Sequence, residues 1–269
     1  MELMVRKWNK KTEPYDRGKI KRTLQRYGLS QREIEELIPK IEKRLYNRIS
    51  TKKILKIMDE EIEKSRYRVK KSDLRRALGN MKPAPDFEIY IQRLFKGLGY
   101  KVTSNRVIQG HCVTHEIDGT ATRDGKLYYI ETKHHSNTHN LTPFIDSLAV
   151  KAKMDDIKNG YLEGKNEYDF DGAILICNTR LTNHADDYAR CVGIEHIGWN
   201  NPRGKGIEAL IEKARVYPFT ILPTLTKKEM KTLSSQNIIT IDDLLTVKHS
   251  RINEKRLNDL KNLAQQIKE

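Results

Sequence analysis

The chain has 269 residues, with 37% hydrophobic and 32% charged side chains, enough for two domains or for one domain with appendages. No apolar run approaches the roughly 20 residues of a membrane helix, and the opening MELMVRKWNKK has no apolar stretch of the signal-peptide kind, so a cytoplasmic protein without a membrane partner is expected. The net charge of +15 is uneven: residues 1–80 carry 24 Lys/Arg against 12 Asp/Glu, whereas residues 81–269 carry 27 against 24.

The basic N-terminal third has two readings, a face for a polyanion such as nucleic acid or nucleotide phosphate, or a Lys-rich solvated surface. The three cysteines (Cys112, Cys177, Cys191) are odd in number and widely spaced, so no disulfide is expected.

In chain order, LMVRKW reads as a short strand and TEPYD as a turn, with Asp16 capping a helix whose Ile20 and Leu24 face inward. In LSQREIEELIPKIEKRLYN, Ser30 and Glu33 have capping-box spacing, and Ile34, Leu37, Ile38, Ile41 and Leu45 recur at helical spacing, interrupted by Pro39. STKKILKIMDEEIEKS starts a further helix at a Ser/Thr cap, and KSDLRRALGN a last short one. The two prolines of MKPAPD, residues 81–86, mark a linker.

DFEIYIQRLFKGLGY then reads as a helix with the stripe Phe87, Ile91, Leu94, Phe95 and Leu98, stopped at Gly99. Three strands follow in YKVTSNRV, CVTHEIDGTAT and KLYYIETKHH, the last two joined by the turn signal RDG at 123–125. Next come a helix around FIDSLAVKAKMDDIKNG, a buried strand DGAILICN that takes Cys177 into the core, a helix NHADDYARCVG, a strand IEHIGW and a helix GKGIEALIEKA. Such alternation predicts an α/β layer structure. YPFTILPTL reads as a second linker. The remainder is helical: TKKEMKTL opens on the capping pair Thr226 and Glu229, and SRINEKRLNDLKNLAQQIKE is an amphipathic helix.

The stretch from His115 to His135 carries the chemistry. Strand side chains alternate faces, so Glu131 and Lys133 point one way, as do Glu116 and Asp118 on the neighbouring strand. Charges dipping into a core layer are costly without a partner. A surface Glu–Lys pair is one resolution. A divalent cation is another, and Mg²⁺ takes only one or two protein carboxylates, keeping the rest of its shell for water and substrate phosphate.

FEIYIQRLFKGLGYKV, VTHEIDGTA and YYIETKHH together resemble the PD-(D/E)xK nuclease superfamily, and within it the Mrr-like restriction endonucleases. The resemblance covers residues 86–178 and extends to about 215. It implies a mixed central sheet flanked by helices, Mg²⁺ (or Mn²⁺) held by Asp118 and Glu131, Lys133 as the catalytic lysine, and Glu88 as an accessory acid on the leading helix. Glu116 fits the pattern less well, and Ile117 stands where the family often has proline. Lys151 and Lys153, on the helix after these strands, are either DNA-backbone contacts or a solvated basic face. His111, Cys112, His115, His134, His135 and His139 are of zinc-ligand type, but HCVTH and HHSNTH lack a standard zinc spacing. His135 is a candidate for phosphate contact or general-acid work.

VRKWNKKTEPYDRGKI with ISTKKI resembles the ATP cone, a small mostly helical nucleotide-binding domain, over residues 3–80. The resemblance implies that Lys7, Glu13, Asp16, Lys19 and Thr51 meet nucleotide, ATP or dATP, as an effector. Trp8 and the following NKK replace the family's second basic residue and tight Asp-Gly turn; Trp8 either stacks on a base or sits in the core. LTKKEMKTLSSQNIITIDDLL has the rhythm of a helix-hairpin-helix, with QNI in place of the hairpin glycine, and serves either DNA contact or packing.

The expectation is therefore a cone-like domain (1–80), a nuclease domain (86–218) and a small helical domain (224–269). They would make a metal-dependent DNA endonuclease, a two-fold homodimer under nucleotide control. A non-catalytic nucleotide-responsive DNA-binding regulator and a structure-specific repair or resolvase nuclease remain the alternatives.

Overall fold

The computed structural model describes residues 3–7, 11–27, 29, 31–65 and 74–268. The readings of Ser30 and Trp8 fall outside these. The chain forms two compact units: Met1–Asp73 with Ile221–Leu233 and Val247–Glu269, and Leu74–Thr220 with Ser234–Thr246.

In the first unit, β1 (Met4–Arg6) pairs antiparallel with β2 (Thr12–Pro14) and parallel with β3 (Ile49–Ser50). Helices α1 (Arg17–Arg26), α2 (Gln31–Glu42) and α3 (Thr51–Ser65) share a core with Val5 of β1 and Ile49 of β3. TEP, expected as a turn, is thus an edge strand; Pro14 is tolerated because the outer side of an edge needs no N–H donor. Asp16 caps α1 by accepting from the Gly18 N–H at 2.7 Å, and Ser50 Oγ caps α3 through the Lys53 N–H at 3.2 Å. The helical stripes meet in one apolar core of Ile20, Leu24, Ile34, Leu37, Ile38, Ile41, Ile49 and Met58, with Leu45 at its margin. Pro39 lies in the last turn of α2, which ends three residues later.

The second unit starts at α4 (Leu74–Gly79). Of residues 81–86, expected as a linker, Met81 and Asp86 are buried and 82–85 are exposed, with Ala84 extended at φ −132° and ψ 140°, before α5 (Glu88–Gly97) begins. The sheet has the order β12-β10-β8-β7-β4. Its strands are β4 (Lys101–Thr103), β7 (Gly119–Arg123), β8 (Lys126–Lys133), β10 (Gly172–Cys177) and β12 (Glu195–Ile197). β4, β7 and β8 run antiparallel; β8, β10 and β12 run parallel, which makes the sheet mixed. β5 (Arg106–Gln109) and β6 (Thr114–Ile117) form a separate two-stranded ribbon, and β9 (Leu141–Thr142) pairs with β11 (Arg180–Leu181).

Helices α6 (Phe144–Leu162) and α7 (Asn183–Cys191) cover one face, burying Val150, Ile157, Ala185 and Ala189 against Tyr129, Leu175 and Cys177. α8 (Ile207–Ala214) packs with α5. Every residue of β10 is buried, as a strand covered on both faces requires. The turn between β7 and β8 is Asp124–Gly125, with φ of 52° and 77°, a mirror-image turn whose twist suits a hairpin.

Of residues 217–225, also expected as a linker, Tyr217, Phe219, Ile221 and Leu222 are buried. α9 (Lys227–Ser235), α10 (Ile241–Thr246) and α11 (Glu254–Lys268) follow. The capping pair of α9 forms in both directions: Glu229 N–H to Thr226 Oγ1 at 3.2 Å, and Thr226 N–H to Glu229 Oε2 at 2.7 Å. Asn237, with φ of 57°, adopts the left-handed conformation that a hairpin glycine would supply. Among the described residues, no helix is long and apolar enough to cross a membrane.

Candidate active site and nucleotide cleft

The Asp124–Gly125 turn sets the register Gly119↔Ile130 between β7 and β8. One step further, Asp118 arrives beside Glu131 and Thr132. Alternation in the sequence predicts one strand through Cys112–Thr122, with Glu116 and Asp118 on one side. The structure breaks that run at Asp118, where the chain leaves the β5–β6 ribbon and joins the sheet. Glu116 stays on the ribbon, exposed and paired with Val107.

Thr132 donates its N–H and its hydroxyl to Asp118 Oδ2, at 2.7 and 2.8 Å. Asp118 Oδ1 has no protein donor among the described residues. Burial raises the Asp118 carboxyl above its usual range, and the neighbouring Glu131 charge raises it further, against the two Thr132 bonds; Glu88 adds a smaller push. Glu131 is buried and meets two ammonium groups, Lys133 Nζ on Oε1 at 2.9 Å and Lys153 Nζ on Oε2 at 2.7 Å. Burial works against the Lys133 charge, but Glu131, Asp146 and Asp118 outweigh it and leave this lysine above its ordinary value.

Glu88, on α5, reaches the same place through a chain of amides. Its Oε2 accepts from Asn105 Nδ2 at 2.9 Å, Gln92 Nε2 donates to Asn105 Oδ1 at 3.1 Å, and the same Gln92 nitrogen donates to the Asp118 carbonyl at 2.8 Å. Gly119 is needed beside Asp118 because a Cβ there would stand 2.7 Å from the Thr103 carbonyl oxygen.

The histidines scatter. His115 pairs with Asp156 at 2.7 Å, His111 with Glu163, and His134 with the Leu78 carbonyl at 2.9 Å. His135 Nε2 meets Thr142 Oγ1 at 3.1 Å, and His139 is exposed. Among the described residues no three His, Cys, Asp or Glu side chains are grouped to hold a metal, so the zinc alternative finds no cluster. Asp118 and Glu131 are two neighbouring carboxylates, a number of protein ligands with which Mg²⁺ is compatible because it keeps several waters. Asp118 presents one oxygen without a protein donor among the described residues, and burial, then the Glu131 charge, favour the neutral form of its carboxyl.

In the first unit, Lys7, Glu13, Lys19 and Thr51 line one open cleft with Arg6, Ser50, Lys52 and Leu55. Glu13 bridges the two lysines, to Lys7 at 2.7 Å and Lys19 at 2.8 Å, and these bonds, Lys19 first, hold its carboxyl below the usual range. Asp16 is not among the lining residues; it caps α1 and faces Arg22 at 3.5 Å.

Comparison with known proteins gives three family matches along the chain. The restriction-endonuclease family model (Mrr catalytic type) matches residues 79–197, the ATP cone domain residues 3–76, and the AF1548-like C-terminal domain residues 217–268. An uncharacterized protein of Archaeoglobus fulgidus is 32% identical over 162 residues, 60% of this chain and 87% of its own. The chain belongs to the PD-(D/E)xK superfamily as an Mrr-like member with an N-terminal ATP cone. A crystal structure described as protein of unknown function AF1548 is also similar: TM-score 0.56, 27% identity, covering 72% of this chain and 98% of its own.

In this Mrr-like chain, sequence reasoning missed Thr132, Gln92, Asn105 and Asp146. Asp146 stands 4.0 Å from Lys133 Nζ, and burial raises its carboxyl against the pull of Lys133 and His135. Its signal was its place in the first turn of the helix that follows the ExK strand. Lys151 and Lys153 were read together, yet Lys151 pairs with Asp155 on α6 while Lys153 turns inward. The hairpin amides of the C-terminal segment are already used: Asp243 Oδ2 accepts from the Ile239 and Thr240 N–H groups at 2.9 and 2.7 Å. Arg93 from α5 pairs with Asp243 and donates to the Asn237 carbonyl at 3.1 Å. That arrangement favours packing over DNA contact for this hairpin.

Proposed function

We propose that the chain is a metal-dependent DNA endonuclease that hydrolyses phosphodiester bonds under the control of ATP or dATP. The observation that carries this reading is the convergence of Asp118, Glu131 and Lys133 where β7 begins and β8 ends. Bound Mg²⁺ or Mn²⁺ supplies a water of lowered pKa and positive charge for the phosphate oxygens.

The chain's own residues do the rest. Asp118 and Glu131 provide the carboxylate oxygens. Thr132 fixes the orientation of Asp118, and Lys133, kept charged by its acidic neighbours, orients the nucleophile and meets charge developing on phosphate. Glu88 is an accessory acid, held by Asn105. In the cone cleft, Lys7 and Lys19 receive phosphates as point charges, with Glu13 and Thr51 directed to the nucleoside. Asp16 shapes the cleft by capping α1. The basic residues of the cone add salt-sensitive affinity for DNA backbone, and a two-fold homodimer brings two sites to antiparallel strands.

The test is plasmid nicking with Mg²⁺ or Mn²⁺, with and without ATP or dATP, for the wild type, Asp118→Ala and Lys133→Ala. Metal-dependent nicking lost in both variants is the expected result. DNA binding without nicking under every metal would replace this reading with the nucleotide-responsive regulator. Preferential cutting of branched DNA would assign a structure-specific nuclease with the same chemistry.

A further inference from the structure

Glu131 has one ammonium group on each carboxylate oxygen, and the two arrive by different routes. Lys133 lies two residues on along β8. Lys153 reaches in from α6, and its Nζ meets Glu131 Oε2 at 2.7 Å and the Glu116 main-chain carbonyl at 2.9 Å. It also stands 5.9 Å from the Tyr129 ring centre. Lys133 alone would neutralise Glu131. The second lysine places a positive nitrogen between a carboxylate oxygen and a carbonyl oxygen, the donor types a hard divalent cation accepts. The Glu116 carbonyl belongs to the residue two before Asp118 in the chain, and Lys153 Nζ joins it to the Glu131 carboxylate.

We propose that Lys153 is a built-in occupant of the cation position. Its ammonium holds Glu131 and the Glu116 carbonyl in the metal-free protein, and a divalent ion displaces it to engage Glu131. The inference rests on the metal-dependent reading above. The long flexible stem lets the charge swing aside without moving α6, so the lysine sets a threshold of metal concentration below which Glu131 stays unavailable.

The test is Mn²⁺ binding to the full chain, counted by calorimetry and by the EPR signal of free Mn²⁺. Removing a like charge within a few ångströms predicts that Lys153→Met binds Mn²⁺ about tenfold more tightly than the wild type. Lys153→Gln gives the same direction should the apolar variant fold poorly, and thermal melts of the metal-free proteins establish folding. Lys153→Arg keeps the charge and stays within about twofold of the wild type. Glu131→Gln loses Mn²⁺ binding. Affinity unchanged or weaker in both Lys153→Met and Lys153→Gln would overturn the Lys153 assignment while leaving the metal site standing. Absence of Mn²⁺ binding in the wild type and in every Lys153 variant would overturn both.

Discussion

Thr132 gives both its main-chain N–H and its hydroxyl to the same oxygen of Asp118, at 2.7 and 2.8 Å. One oxygen is thereby held by the strand and the other is turned outward. Thr132→Val keeps the shape and the N–H bond but loses the hydroxyl bond. The expected cost is about 1–2 kcal/mol of stability, read by urea denaturation. Because the lost bond favours the ionised form, the Asp118 carboxyl rises further, and the acid limb of the nicking pH profile moves to higher pH.

Asp118 itself is expected to oppose folding at neutral pH. Burial and Glu131 raise its carboxyl in the folded state. A raised acid contributes stability below its unfolded value and loses it as pH rises through the folded value. Asp118→Asn removes that loss. The variant should melt higher than the wild type at pH 8, with the gap closing as pH falls through the ordinary carboxylate range, while nicking disappears. A lower melting temperature at pH 8 would contradict the assignment of burial as the main cause.

The cone cleft predicts a charge-dependent nucleotide site. Lys7→Gln and Lys19→Gln are each expected to weaken ATP or dATP binding by about tenfold and to flatten its salt dependence. Both lysines already share Glu13, at 2.7 and 2.8 Å, so the two substitutions should not add independently. Fluorescent-nucleotide titrations of the single and double variants over a range of salt concentrations provide the measurement.

The Asp156 carboxylate is one of the ties between the β5–β6 ribbon and α6. Asp156 accepts from the Cys112 N–H at 2.9 Å, from the Val113 N–H at 3.3 Å, and meets His115 at 2.7 Å. The Cys112 amide and His115 hold it well below the usual carboxylate range. A depressed acid contributes stability above its unfolded value and loses it as pH falls through the folded one. Asp156→Asn should therefore speed hydrogen exchange at Cys112 and Val113 near neutral pH, and unchanged protection there would rule out the tie. Gly160 is part of the same approach, since a Cβ on it would lie 2.7 Å from the Gly110 carbonyl carbon.

Local pattern made much of this legible. The helical stripes, the Asp-Gly turn, the capping pair of Thr226 and Glu229, and the ExK strand all follow from rules that span a few residues. The misread parts depend on partners far along the chain. MKPAPD looked like a linker because its prolines speak only of local backbone, whereas Asp86 is buried against Ser234 at 2.8 Å, 148 residues away. Lys151 and Lys153 are both basic residues on one helix, and only the position of Glu131 distinguishes their directions. The break at Asp118 was invisible because alternation continues in the letters across a corner in the chain. Asn237 passed as a missing glycine, although asparagine tolerates the same backbone conformation.

Arg93 and Asp86 bear on how this protein can be dissected. The hairpin segment 234–246 supplies Ser234 to Asp86, and Asn237 and Asp243 to Arg93, and it belongs to the compact unit that holds the acidic cluster. That unit is discontinuous in the gene order of its parts. A recombinant fragment stopped near residue 220 would strip half-hidden charges of their counterparts and present sticky, unfinished surface, so an inert product from such a cut says nothing about catalysis. Extending the fragment to residue 246 restores those anchors.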